Sequence, residues 1–274
     1  MWLCSVWPCS TQRNPRPGDA SRSFHYDWAG EKALTAQDEI AKLDELLRRL
    51  RDADPGRRVF GSAQHGYSLG PPLSEVELAA FESSNGVALP EDYRCFLRTL
   101  GIGGAGPFYG LERLDSFGRN LSSPVPLTRA TDQLAEGELN ELPDHDDYGG
   151  VLEYCHQGCG IYSYLVVNGS TFGTIWNGRE DFYPTRLSFA VWYTTWLERA
   201  LLALDNERLV SRIRVGMSRT DVLAAVGGDW QAREALGGEV RYFEANDIPV
   251  QLELDERDVV VKVSPWSFIV ASPH

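Results

Sequence analysis

The most reactive side chains of the sequence lie in one run, Cys155-His156-Gln157-Gly158-Cys159. Thiolate and imidazole groups bind zinc, and a cysteine beside a histidine can act as a nucleophile. A structural zinc site needs four ligands, whereas this run supplies two thiols and one imidazole. On a strand, Cys155 and His156 would also face opposite sides of the sheet. We therefore predict no metal site, no catalytic residue and no cofactor. An enzyme that uses this region, or the acidic segment described below, is kept only as a competing hypothesis.

A glycine-rich motif precedes this run. Gly101, Gly103 and Gly106 match the GxGxxG spacing of dinucleotide-binding loops. That motif binds a pyrophosphate when a strand precedes it and a helix follows it. Here a predicted helix precedes the motif and Pro107 follows it, so we interpret the glycines as a flexible loop and not as a nucleotide site.

Acidic side chains form the third group of candidates, around a single histidine between residues 136 and 147. Their spacing does not match a calcium-binding loop, which needs ligands at fixed positions about a central glycine. The segment is either a solvated loop or a docking surface for a basic protein, and both interpretations stay open. Two further acids follow Trp176. The candidate partner-binding residues are Glu136, Glu138, Glu141, Asp144, Asp146, Asp147, Glu180 and Asp181.

The overall charge narrows the class of partner. The 274 residues carry a net charge of −13. Nucleic acid binding requires a basic face, so nucleic acid is not expected as a direct ligand. A basic protein is an attractive partner. The competing interpretation is that the acidic surface serves solubility alone.

Hydropathy and cysteine content indicate the compartment in which the protein is expected. No apolar run approaches the about 18–20 residues of a membrane span, and the N-terminus lacks the features of a signal peptide. Five cysteines in a chain of this length do not form a disulfide framework. We expect a cytoplasmic protein with free thiols.

The residues around the Cys155–Cys159 run predict a β-sheet that positions it. Runs rich in Val, Ile, Tyr and Thr predict strands near residues 152–156, 161–168 and 171–176, with Asn168-Gly169 as a hairpin turn. We interpret Gly158 and Gly160 as turn-forming residues and Cys159 as a small packed residue. Gly173 and Trp176 are interpreted as sheet and core residues.

Helices are predicted both before and after these strands along the sequence. One spans about residues 35–51; others begin after the capping box at Ser74, at Pro90, at Ser188 and after the capping box at Ser218. The helix after Ser188 carries an aromatic stripe that includes Trp192 and Trp196, and we expect it to cover the sheet. Asn177-Gly178 is interpreted as a second turn.

These elements predict an α+β fold in which helices back a central, mostly antiparallel sheet. We divide the chain into a loose tail (1–33), an amphipathic helix and linker (34–60), a main domain (61–205) and a small C-terminal α+β appendage (207–270). The appendage should contain one helix and three or four strands.

An ordered series of motifs spans roughly residues 70–202. The series comprises Pro72-Leu-Ser-Glu75, Gly86-Val-Ala-Leu-Pro-Glu-Asp-Tyr-Arg94, Gln157-Gly-Cys-Gly160, Leu165-Val-Val-Asn-Gly169, Gly173-x-x-Trp176 and Ser188-Phe189 with Trp192 and Trp196. Its order and spacing resemble the SUKH superfamily of the Smi/Knr cell-wall-regulator type. The residues taken as its structural signature are Pro90, Tyr93, Gly158, Cys159, Gly169, Gly173, Trp176, Trp192 and Trp196.

The resemblance implies a function as well as a fold. Bacterial members of this superfamily are commonly immunity proteins that neutralise polymorphic toxins, often nucleases, and eukaryotic relatives act as signalling scaffolds. The resemblance therefore leads us to expect stoichiometric docking of an acidic surface onto a basic protein toxin. The alternative is a non-catalytic scaffold or regulatory module.

Overall fold

The computed structural model describes residues 35–114, 120–130, 133–135, 138, 148–178, 182–227, 230–234, 241–245 and 248–265. The predicted N-terminal tail lies outside these residues. The helices are α1 (Ala36–Ala53), α2 (Ser62–His65), α3 (Glu75–Asn85), α4 (Glu91–Thr99), α5 (Phe189–Val210) and α6 (Arg219–Val226). In the described part of the chain, none of the helices is long and apolar enough to cross a lipid bilayer.

Two four-stranded antiparallel sheets accompany the helices. The first has the order β1-β2-β3-β4, and the second has the order β5-β6-β7-β8. The strands are β1 (Val151–Gly158), β2 (Ile161–Val166), β3 (Thr174–Gly178), β4 (Phe182–Ser188), β5 (Trp230–Glu234), β6 (Arg241–Ala245), β7 (Ile248–Leu254) and β8 (Val260–Pro265). The predicted α+β fold is thereby confirmed.

Local hydrogen bonds define where the helices begin. Thr35, Ser74 and Ser218 each form a capping box, in which the cap side chain and an acid three residues later bond each other's backbone N–H. The Ser188 side chain accepts from the Val191 N–H at the start of α5. The predicted starts at Ser74, Ser188 and Ser218 are confirmed. They were predictable because a helix cap depends on residues that are close in sequence.

The connection between β2 and β3 differs from the predicted hairpin turn at Asn168-Gly169. It comprises residues 167–173, and β3 begins only at Thr174. The Val167 N–H donates to the Gly150 carbonyl at 2.8 Å, and the Asn168 carbonyl accepts from the Val125 N–H at 2.9 Å. The Asn168 backbone therefore bonds the segment at Val125 and does not close a two-residue turn.

Strand β4 was not predicted. It contains Pro184, which pairs with Trp176 but has no N–H to donate to the ladder, and Arg186 with a φ of 61°. The strand tolerates both because it lies at the edge of the sheet. The predicted turn at Asn177-Gly178 is also wrong, since Asn177 pairs with Tyr183 and Gly178 with Phe182.

Helix α5 covers one face of the first sheet with its aromatic stripe. Trp192 and Trp196 are buried, and the Trp192 ring lies 5.1 Å from that of Tyr154 on β1. The Phe189 ring lies 4.8 Å from the ring of Tyr93 on α4. The apolar face of α1 belongs to the same core. The predicted role of the stripe is confirmed.

The opposite face of the sheet is also covered in part. Its core includes Tyr164 from β2, Trp176 from β3 and Phe182 from β4, which pack with Val125 and Tyr148 from the preceding segment. The sequence did not place that segment. Trp176 is a core residue as predicted, but it belongs to this second face and not to the helical one.

Helix α5 continues to Val210, past its predicted end near Leu204. Val210 and Ile213 pack with Val222 of α6 and with apolar residues of β7 and β8, such as Leu252. One helix thus contributes to two hydrophobic cores. The C-terminal sheet therefore packs against the last turn of α5.

The GxGxxG segment is tied by backbone hydrogen bonds and is not an open loop. Gly104 and Leu111 exchange N–H···O bonds of 2.8 and 2.7 Å, and the Ala105 N–H donates to the Ser68 carbonyl at 2.8 Å. Gly104 has a φ of 91°, and an added Cβ would lie 2.3 Å from the Ser68 oxygen. Here glycine permits close backbone packing, which accounts for the motif without a nucleotide.

Replacing Gly104 with alanine should therefore lower the free energy of unfolding by about 2–4 kcal/mol, since it adds a clash to backbone strain. Gly216→Ala is the matched control, because Gly216 has a φ of 92° and, in the described part of the chain, no atom lies within 4 Å of the added Cβ. Strain alone should cost the control about 1–2 kcal/mol. Urea denaturation measures both losses, and equal losses would contradict the packing role of Gly104.

Candidate partner-binding surface

Of the predicted acidic candidates, the structure describes Glu138 alone. Its carboxylate accepts from the Ala135 N–H at 2.8 Å and pairs with Arg129. Both side chains of this ion pair are about half exposed, so water screens it. The other candidates lie outside the described residues: Glu136, Glu141, Asp144, Asp146, Asp147, Glu180 and Asp181.

The Cys155 thiol is not placed to act as a nucleophile. The residue is fully buried in the core beneath α5, and its Sγ donates to the Pro107 carbonyl at 3.3 Å. Burial raises the pKa of the Cys155 thiol far above its ordinary value. His156 pairs with Tyr162 across the strands and stacks on Tyr109, outside that core. The two reactive groups therefore do not form a dyad.

Cys159 corrects another expectation. It is exposed and not packed. Its φ of 51° is positive, as are those of its neighbours Gly158 and Gly160. These residues form the turn that joins β1 to β2, as predicted for the glycines. Within the described ranges, no group of three or more His, Cys, Asp and Glu residues is placed to hold a metal ion.

Partly exposed aromatic rings form a continuous row on the sheet face that bears His156. The rings of Phe60 and Tyr109 are 5.0 Å apart, those of Tyr109 and His156 are 5.3 Å apart, and those of His156 and Tyr162 are 4.7 Å apart. We call these four residues the aromatic strip. Tyr162 continues the row to buried Tyr164 at 6.3 Å. The strip is therefore the open end of an aromatic row whose other end is core.

Backbone contacts hold the strip in place. The Tyr109 N–H donates to the His156 carbonyl at 3.3 Å. Gly61, which follows Phe60, has a φ of 83° and approaches Phe108 so closely that an added Cβ would lie 1.5 Å from its carbonyl oxygen. The segments that carry Phe60 and Tyr109 are thus packed backbone to backbone.

The strands beneath the strip are joined by polar side chains as well. Gln157 donates to Ser163 at 2.8 Å and to Asn177 at 2.7 Å, and the Ser163 hydroxyl donates to Asn177 at 2.8 Å. Ser163 is fully buried. These three residues come from β1, β2 and β3, so the hydrogen bonds fix the end of the sheet that carries the strip.

Two carboxylates adjoin the strip. Burial raises the pKa of the Tyr162 phenol, and the negative charges of Glu153 and Glu112 raise it further. The Glu112 N–H donates to the Tyr154 carbonyl at 2.7 Å, which places Glu112 beside the edge of β1. Tyrosine is enriched among the residues that dominate protein–protein binding.

Sequence reasoning missed this surface because its members lie in three separate segments, at Phe60, at Tyr109 and on β1–β2. The one local signal was the alternation of Tyr162 and Tyr164 about the buried Ser163 on β2. That signal places the tyrosines on one face but does not show which residues they contact.

Comparison with known proteins identifies the domain that carries Tyr109, His156 and Tyr162 of this surface. Residues 72–194 match the model of the SMI1 / KNR4 family (SUKH-1). The match runs from the residues before α3 through β1–β4 into α5. A search of curated proteins and a search of solved structures each returned no match. Residues 72–194 of this chain are therefore a domain of the SUKH superfamily, as the ordered series of motifs predicts.

Proposed function

We propose that this chain is an immunity protein, which binds a polymorphic toxin of nuclease type in equimolar amounts and blocks it. The observation that carries the proposal is the SUKH domain at residues 72–194, since the resemblance implies this role for bacterial members. The net charge of −13 supports a basic partner. A nuclease presents such a partner surface, because its substrate is a polyanion.

Neutralisation in this proposal is steric and electrostatic. The acidic candidates between residues 136 and 147 and at Glu180 and Asp181 approach the basic cleft of the toxin and exclude its substrate. Long-range attraction between opposite net charges accelerates the encounter. Contacts made by desolvated side chains then keep dissociation slow. No bond is made or broken.

The test is a titration of the toxin encoded beside this gene with the purified full chain. Toxin activity should fall linearly and vanish at an equimolar ratio, and co-expression should rescue cells from the toxin. The association rate should fall by about tenfold or more when salt rises from about 0.05 to about 0.5 M, while the dissociation rate changes little. Loss of toxin activity at trace amounts of the chain would indicate an enzyme, and undiminished toxin activity would refute immunity.

Charge variants refine this test. Replacing Glu141, Asp144, Asp146 and Asp147 with their amides should slow association with the toxin. A control of equal charge change replaces four exposed acids elsewhere: Asp44 and Asp52 on α1, Glu91 on α4 and Asp205 on α5. Slower association in both variants to the same extent would assign the effect to net charge and not to the acidic segment.

A non-catalytic scaffold is the second candidate, and the course of α5 favours it. This helix contributes Trp196 to one core and Val210 to another, so two modules share one rigid element. A scaffold would bind two proteins at once, one through each module. A gene neighbourhood without toxin genes, together with a stable ternary complex in sedimentation, would support this candidate over immunity.

A further inference from the structure

We propose that the aromatic strip, with Glu112 and Glu153 beside it, is a docking surface for an arginine-bearing segment of a basic partner protein. The inference rests on the proposed function in one respect, since it takes that partner to be the toxin. The strip would bind the partner in addition to the acidic segment between residues 136 and 147. The side chain that it recognises is arginine.

The chemistry of the strip fits a guanidinium group. This cation is planar and weakly hydrated, so it stacks on aromatic rings and pairs with carboxylates at the same time. Tyr109 is 39 % exposed and stands between the rings of Phe60 and His156. Glu153 pairs with Tyr164 across β1 and β2, and the Glu112 N–H donates to the Tyr154 carbonyl, so both acids lie beside the strands that carry His156 and Tyr162. Rings and negative charge are thus both within reach of one arginine side chain.

A lysine ammonium suits the same surface less well. It is compact and strongly hydrated, and it cannot stack on a ring through a flat face. The strip should therefore prefer arginine to lysine at equal charge. This preference separates specific docking from attraction to the acidic chain as a whole.

The strip is held in its binding geometry before any partner arrives. The Tyr109 N–H donates to the His156 carbonyl, and Gly61 packs on the Phe108 carbonyl. Tyr162 is joined to the buried aromatic row through Tyr164. A surface that is already ordered loses little conformational entropy on binding, so more of the contact energy appears as affinity.

Another exposed ring offers a contrast. Phe172 is 48 % exposed and lies in the connection between β2 and β3. This connection and the turn that carries Cys159 lie at opposite ends of β2. Phe172 is therefore an aromatic residue of comparable exposure to Tyr109, at the other end of the sheet, and serves as a matched control.

The first experiment titrates the isotopically labelled full chain with an acetylated peptide that carries two arginines among glycines, and with its lysine counterpart. Nuclear magnetic resonance should show shifts at the amides of Tyr109, His156 and Tyr162. The arginine peptide should bind about threefold to tenfold more tightly than the lysine peptide. Equal affinity for the two peptides, or shifts elsewhere only, would overturn the proposal.

Variants then assign the contacts. Tyr109→Ala should weaken arginine-peptide binding by about threefold to tenfold, and Tyr109→Phe should retain it because the ring face is kept. Phe172→Ala should leave binding unchanged. Glu112→Gln should weaken binding more than Asp44→Asn on α1. A thermal melt of each variant checks folding, and a folded Tyr109→Ala protein with full affinity would overturn the proposal.

A second experiment uses the toxin and separates this inference from the proposed function. If the wild-type chain neutralises the toxin and Tyr109→Ala does so with unchanged affinity, the docking surface is refuted and immunity stands. If the wild type binds the arginine peptide but never neutralises the toxin, immunity is refuted and the surface stands. A short oligonucleotide that shifts the strip amides more than the peptide does would assign the strip to nucleic acid and refute docking of arginine.

Discussion

Replacing Trp192 with alanine is expected to lower the free energy of unfolding by about 3–5 kcal/mol. The side chain is fully buried between α5 and the first sheet, where its ring contacts those of Tyr154 at 5.1 Å and Phe189 at 6.5 Å. Alanine would leave a cavity that a helix and a sheet cannot readily close. Urea denaturation followed by far-ultraviolet circular dichroism measures the loss.

Two control variants sharpen this prediction. Val191→Ala changes the adjacent residue, which is 47 % exposed, and should cost less than about 1 kcal/mol. Trp192→Phe keeps most of the ring volume, and the buried Trp192 Nε1 has no hydrogen-bond partner to lose among the residues that the structure describes. Its cost should be about 1–2 kcal/mol. Similar costs for alanine at both positions would show that Trp192 is not a core residue.

Replacing Asp54 with alanine is expected to lower the free energy of unfolding by about 2–4 kcal/mol. Asp54 is a buried acid at the end of α1. Its carboxylate accepts from the Arg58 N–H at 2.8 Å, from the Val59 N–H at 3.0 Å and from the Tyr67 hydroxyl at 2.5 Å. The substitution would leave these donors without their acceptor in a partly dry environment.

Nearby substitutions separate this network from simple loss of charge. Asp52→Asn removes an exposed carboxylate from the same helix and should change stability by less than about 0.5 kcal/mol. Tyr67→Phe removes one donor and leaves the two backbone bonds of Asp54, so it should cost less than Asp54→Ala. Chemical denaturation at neutral pH measures all three variants. An Asp54→Ala protein as stable as Asp52→Asn would contradict the network.

The position of Asp54 also bears on the proposed docking surface. Its network holds the residues that follow α1, and Phe60 of the aromatic strip comes directly after Val59. Loosening this segment should therefore reduce binding of the arginine peptide even though Asp54 itself is buried. Such a loss would accompany a loss of stability, whereas Tyr109→Ala acts on binding alone.

Acidic composition and the aromatic strip contribute differently to the proposed function. The net charge of −13 acts at long range and speeds the encounter with a basic protein. In the proposal, Tyr109 and its neighbours act only on contact, so they would determine which side chain is bound and how long it stays. A partner rich in lysine would be attracted by the negative charge, but its side chains would not stack on the aromatic strip.

Much of the fold was predictable because the signals are local. A cap such as Ser74 with Glu77 depends on residues within one helical turn, and the stripe that contains Trp192 and Trp196 follows from helical periodicity. Strand β4 was missed because Pro184 and Arg186 disrupt the alternation that predicts strands. The turn at Asn168-Gly169 was misplaced because its backbone bonds a residue more than 40 positions earlier in the chain.

The sequence by itself determined the capped helices, the antiparallel sheet, the acidic charge and the resemblance to the SUKH superfamily. Each depends on composition, periodicity or motif order, which can be read along the chain. Only the tertiary structure separated Cys155 from His156 and aligned Phe60, Tyr109 and Tyr162 into one surface. The physical reason is that ring contacts and burial depend on distances in space. A backbone hydrogen bond between Tyr109 and His156, for example, joins two segments that are far apart in the sequence.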